Sequence, residues 1–147
     1  MKYTVDIIIN LGIDKLIPLF DNTENMYKWM EGLQRFEALE GTPGEVGAKS
    51  KMFFLSGKRE IEMIETITVK DLPREFSATY EAKGVYNLVR NHFSSEGEGQ
   101  TRYSTVQEFQ FTGFMKLLAV FMPGAFKKQT LRHMQAFKTF AESEPES

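Results

Sequence analysis

The segment Glu75–Phe93, EFSATYEAKGVYNLVRNHF, decides how the rest of the chain is read. Two strand-length runs, EFSATYEA and VYNLVRNHF, flank Lys83-Gly84, a hairpin signal. So short a connection demands antiparallel pairing, because a parallel crossover needs about a dozen residues or more. Successive side chains of a strand alternate between faces. Val85, Asn87, Val89, Asn91 and Phe93 therefore share one face, and Tyr86, Leu88, Arg90 and His92 share the other. Turning the second face inward would bury a guanidinium, so the first is assigned to the interior. That interior face carries two carboxamides. A solid apolar core has no use for them, whereas a lined cavity does.

The same period-two signal extends in both directions. Downstream, the loop SSEGEGQ leads into TRYSTVQEFQF, where Tyr103, Thr105 and Gln107 share a face with Phe109 and Phe111. Upstream lie LQRFEALE, closed by the turn residues GTPGEVG, then AKSKMFFL, the tight turn SGK, and REIEMIETITV. In the last of these, Ile61, Met63, Glu65, Ile67 and Val69 alternate with Glu60, Glu62, Ile64, Thr66 and Thr68. Ile64 is apolar on the outer face, which is then partly covered or a dimer contact. KDLPR breaks this strand before Glu75.

Outside the meander the pattern changes. Tyr3 to Asn10 alternates as a first strand, with Tyr3, Val5, Ile7 and Ile9 on one face. IDKLIPLF has helical spacing but contains Pro18, so that helix is brief or bent. Asp21, Asn22 and Thr23 offer N-caps for a second helix over residues 23–30, anchored by Met26 and Trp29. After Gly113 a long helical segment begins, which Pro123-Gly124 kinks or breaks. Beyond it Phe126, Thr130, His133, Met134, Phe137 and Ala141 form one stripe, away from Lys127, Lys128, Arg132 and Lys138. The order is strand, two short helices, a six-stranded antiparallel meander and a long C-terminal helix. One long helix over a curved sheet makes an α+β domain with room for a cavity between the layers. The domain is placed at 1–142, followed by a frayed acidic tail at 143–147.

Composition bounds the function. The chain has 147 residues, 41% hydrophobic and 26% charged, as in a one-domain globular protein. A net charge of −2 gives no basic footprint for nucleic acid and no general attraction to anionic lipid. No apolar run approaches the ~18 residues of a membrane span. The absence of cysteine excludes disulfides and thiolate metal sites and fits a reducing cytoplasm. The expected protein is cytoplasmic, without cofactor, and a monomer or homodimer.

Motif chemistry is sparse. His92 and His133 are not at ligand spacing, and no metal-binding pattern appears. There is no nucleophile elbow, and the acidic residues of GTPGEVG and SSEGEGQ oppose phosphate binding. What remains is the set of polar residues at inward strand positions: Glu65, Asn87, Asn91, Tyr103 and Gln107. With Val89, Met122, Phe126 and His133 they form the expected ligand-binding set. Met122 and Phe126 flank the Pro-Gly break, which is either a gate over the pocket or a bend that follows the sheet. Glu65 and Tyr103 are the candidates for chemistry if the protein is an enzyme: the carboxyl as general acid or base, the phenol polarising a carbonyl. The alternative is purely structural. In it Glu65 pairs with an arginine such as Arg35, and the asparagines satisfy a bulge or an internal water.

The order of elements, and particular stretches within it, resemble the START-like helix-grip superfamily (SRPBCC), which includes polyketide cyclase/dehydrase-like and Bet v 1-like proteins. The stretches are the Trp29 helix, GLQRFEALEG with PGEVGAKSKM, MIETITVKDLPREF, YEAKGVYNLVRNHF, TRYSTVQEFQF and MQAFKTFAE. The resemblance covers nearly the whole chain. It implies binding of a hydrophobic or aromatic small molecule between sheet and long helix. It also allows a cyclase- or dehydratase-type enzyme and, third, a co-chaperone-like interaction module. The superfamily has no shared catalytic motif, so the resemblance assigns no catalytic residue.

Overall fold

The Lys83-Gly84 hairpin forms as expected. Gly84 has φ +80°, and a Cβ there would sit 3.0 Å from Met115 Cγ and 3.1 Å from Thr112 O, so glycine is required twice over. The computed structural model describes residues 1–144. Strand β1 (Lys2–Ile9) is followed by α1 (Ile13–Phe20), a 3-10 turn at Thr23–Asn25 and α2 (Met26–Trp29). Then come β2 (Leu33–Glu40), β3 (Lys49–Ser56), β4 (Arg59–Asp71), β5 (Glu75–Ala82), β6 (Val85–Ser95) and β7 (Thr101–Phe111). Helices α3 (Phe114–Phe121) and α4 (Pro123–Ser143) complete the chain.

The seven strands make one antiparallel sheet in the order β1-β7-β6-β5-β4-β3-β2. Strands β2 to β7 form the expected meander, and β1 pairs with β7 to take the far edge. Helix α4 lies across the sheet and is tied to β1. Tyr3 Oη is 2.7 Å from Thr130 Oγ1 and donates to Phe126 O at 3.0 Å. Lys138, expected to point away, reaches back and donates to Ile8 O at 2.6 Å. Glu142, the last residue assigned to the domain, accepts the Asn10 N–H at 2.7 Å and pairs with Lys138 at 2.9 Å. Helix α4 thus includes Glu142 and Ser143, and residues 145–147 of the tail lie outside the described residues.

The short helices follow their local chemistry. Asn22 Oδ1 accepts from the N–H groups of Glu24 and Asn25 and starts the α2 region. Helix α1 is eight residues long with Pro18 inside it, and it buries Leu16 completely. The Pro-Gly pair is a break rather than a kink. Met122 is non-helical at φ −132°, ψ 56°, and Pro123 opens α4, where its missing N–H costs nothing.

The register of β4 differs from the alternation read in the sequence. Ile67 pairs with Ala78 but Val69 pairs with Ser77, so β4 bulges at Thr68. The extra residue turns Val69, expected inward, out to solvent. On the outer face, Phe53 is buried under Arg35, whose guanidinium lies 4.0 Å from the ring centroid. Ile64 is half-buried there, with Lys51 opposite it.

Candidate functional site

The face shared by Val85, Asn87, Val89, Asn91 and Phe93 turns toward α4, and a cavity of about 680 Å³ lies between them. This is a volume typical of small-molecule sites. Its walls are mostly apolar: Met52, Phe54, Ile61, Met63 and Phe76 from the sheet, with Trp29 and Met134 from the helices. Of the residues expected at a site, Glu65, Asn87, Val89, Asn91, Tyr103, Gln107, Phe126 and His133 all line it. Met122 does not. It is 56% exposed at the α3–α4 break, because the non-helical turn carries its side chain off the α4 stripe. Of the two readings of the break, a gate or a bend, the gate would therefore have no Met122 over the cavity.

Strand register explains how the polar residues meet. Glu65, Tyr80 and Asn87 are successive cross-strand partners on β4, β5 and β6. Tyr80 Oη donates to Glu65 Oε2 at 2.7 Å. Asn87 Nδ2 donates to Gln107 Oε1 and to Glu108 O, both at 3.1 Å, and Gln107 Nε2 passes a bond to Thr105 Oγ1 at 3.0 Å. Tyr103 Oη donates to Asn91 Oδ1 at 3.3 Å. The carboxamides are thus tied to β7, and the carboxyl is tied to β5. The alternative pairing of Glu65 with Arg35 does not occur. Arg35 sits opposite Phe53 on the outer face and contacts Glu37 at 3.5 Å.

Tyr80 was not singled out from the sequence. Its signal was available: Phe76, Ala78, Tyr80 and Ala82 alternate on one face, and the tight hairpin sets that face beside Asn87.

Burial dominates the electrostatics. Glu65 is 7% exposed, and burial raises its carboxyl above the ordinary 4.5, with the Tyr80 hydrogen bond opposing part of the rise. Tyr80 is held well above the ordinary phenol range by burial and by the neighbouring Glu65. Burial also raises Tyr103 and keeps it a neutral donor. His133 is lowered by burial, against the pull of Glu31. Gln129 Nε2 lies 3.0 Å from its Nε2, as an amide donor to a neutral ring. At the rim, Arg132 holds both oxygens of Glu31 at 3.0 and 3.2 Å. Among the described residues no three His, Asp or Glu side chains gather as a metal site, and no helix is long and apolar enough to cross a membrane.

No family model matches the chain, and no curated protein matches its sequence. Solved structures do match in shape. Ara h 8.0201 superposes with a TM-score of 0.78 at 15% identity, over 98% of this chain and 99% of that one. The Zhui aromatase/cyclase from Streptomyces sp. R1128 gives 0.80 at 8% identity, over 97% and 93%. Norcoclaurine synthase from Thalictrum flavum, in complex with dopamine and hydroxybenzaldehyde, gives 0.73 at 12% identity, over 100% and 89%. At such identities the likeness shows the fold alone. The chain has the Bet v 1-like, START-like (SRPBCC) helix-grip fold that its sequence resembles.

Proposed function

We propose that this protein binds or carries a hydrophobic, often aromatic, small molecule in the cavity between the sheet and α4. The observation that carries the reading is a hydrogen-bonded row of polar side chains on the floor of an otherwise apolar chamber of about 680 Å³. Apolar walls supply binding at ~25 cal/mol per Å² buried, before ordering costs are subtracted. Glu65, Asn87, Asn91, Tyr103 and Gln107 orient the ligand's polar end, and Val89, Phe126 and His133 enclose its body. The reading takes the protein as a cytoplasmic monomer or homodimer. Native mass spectrometry of protein purified from its own host tests it: the expected result is a co-purifying small molecule. Failure of that protein, and of a panel of aromatic compounds, to show any saturable binding would sink it.

A second reading, a cyclase- or dehydratase-type enzyme, draws on one observation. Glu65 is a buried carboxyl raised above its ordinary value, with the Tyr80 phenol at 2.7 Å, a pairing suited to general acid–base work. Two proteins of the same shape are named as an aromatase/cyclase and a synthase. If the protein turns over its ligand, Glu65→Gln keeps binding and abolishes turnover. Loss of binding alone in that variant favours the carrier.

A further inference from the structure

We infer that the ligand of this cavity carries a basic nitrogen, and that its ammonium sits on the free oxygen of Glu65. This rests on the reading that the cavity binds a small molecule. Glu65 spends one oxygen on Tyr80, and its Oε1 has no partner in the protein. That oxygen still faces the cavity, because the only sealed side-chain polar atom without a partner among the described residues is Trp29 Nε1.

The other polar groups on the floor are neutral. Asn87 Nδ2 donates to Gln107 and Glu108 O, Gln107 donates to Thr105, and Asn91 Oδ1 accepts from Tyr103, which leaves Asn87 Oδ1 and Asn91 Nδ2 as uncharged groups beside the one carboxyl. The basic side chains of the lining are Arg132 and His133. Arg132 is engaged with Glu31 at the rim, and His133 is neutral and bonded to Gln129. Neither acts on Glu65, whose acidity is set by burial and Tyr80 alone. The cavity floor therefore holds one desolvated carboxyl and no countercharge.

The sign of the missing charge follows. An ammonium placed there completes an ion pair whose carboxylate was stripped of water when the chain folded, so that part of the desolvation cost is not incurred again on binding. A neutral hydroxyl offers one hydrogen bond and no charge. A carboxylate ligand meets a like charge at the buried Glu65. The ligand class is an apolar body, aromatic or aliphatic, with one protonatable amine at its end.

Calorimetry with three naphthalenes of similar size tests this: 1-naphthylmethylamine, 1-naphthalenemethanol and 1-naphthoate. The amine is expected to bind about ten-fold tighter than the alcohol, and the naphthoate weakest. The preference persists from low salt to about 0.5 M, as a buried pair requires and a rim pair does not. In Glu65→Gln, confirmed folded by circular dichroism, the roughly ten-fold advantage of the amine over the alcohol disappears. Equal binding of all three, tighter binding of naphthoate, or an amine preference that survives in Glu65→Gln overturns the inference and leaves the cavity reading intact. Absence of saturable binding by all three overturns both.

Discussion

The space beneath α4 has two ends, built from the same strands and treated in opposite ways. At one end it is solid. Phe93 and Tyr103 stack at 4.8 Å, Phe20 meets Phe93 edge-on at 4.9 Å, and Trp29 meets Phe137 at 5.0 Å. At the other end the same β6 and β7 present Asn87 and Gln107, with Glu65 and Tyr80 alongside, and the space stays open. Phe93 and Asn87 lie on one face of one strand, six positions apart. The difference lies in what reaches over them. Helices α1 and α2 lay Phe20 and Trp29 across the first end, and Phe137 comes down from α4. Over the second end α4 offers Phe126, Thr130 and His133. Strand alternation selects which side chains turn inward; the helices decide whether the interior is filled.

The sharpest way to break the contrast is to hollow out the solid end. Phe137→Ala removes a fully buried ring and is expected to lower unfolding free energy by about 3–5 kcal/mol in denaturant melts. A loss below about 1 kcal/mol would mean that the aromatic end is not the stability centre. Next is the border between the ends. Asn91→Ala leaves the buried Tyr103 hydroxyl without its acceptor, for an expected loss of about 1–3 kcal/mol by the same measurement.

The hollow end responds to pH instead. The folded state holds the Glu65 proton at pH values where the unfolded chain, titrating near 4.5, has released it. Its contribution is full below that value and is lost as pH rises through the higher folded pKa. Glu65→Gln should therefore remove a decline in stability with rising pH that wild type shows just above 4.5, in melts across that window. A wild-type profile with no such decline relative to the variant would contradict the assigned environment of Glu65. The smallest effect belongs to the break. Met122→Ser changes an exposed side chain and should shift stability by no more than about 0.5 kcal/mol, with ligand affinity unchanged in the same calorimetric titrations.

Much of this was legible in the residues. The bounds of β2, β5 and β7 coincide with the runs LQRFEALE, EFSATYEA and TRYSTVQEFQF, because turn residues flank each, although the register of β2 shifts between Leu33 and Arg35 and between Ala38 and Glu40. The inward assignment of Asn87 and Asn91 followed from Arg90, whose guanidinium had to face out. What escaped was relational. The bulge at Thr68 leaves no mark in ETITV, since Val69 suits either face. The partner of Glu65 depends on how three strands align, and alternation within one strand carries no such information. Met122 was assigned by proximity to a break whose exit direction is a matter of two dihedral angles.

The edge pairing of β1 has a consequence for the order of assembly. Met1 N–H contacts Phe109 O, 108 positions away, while every other strand pairs with its neighbour in sequence. During synthesis β1 leaves the ribosome first and its partner β7 last among the strands. The meander closes through short loops, which cost little entropy; β1 must wait for a contact of the longest range the sheet contains. Until it docks, β7 offers an unpaired edge, the feature by which nascent β-proteins associate wrongly. A circular permutant opened between β1 and α1, with the two chain ends joined, would place β1 after α4 and nearer to β7 in sequence, and would make the timing of edge protection an adjustable property of this fold.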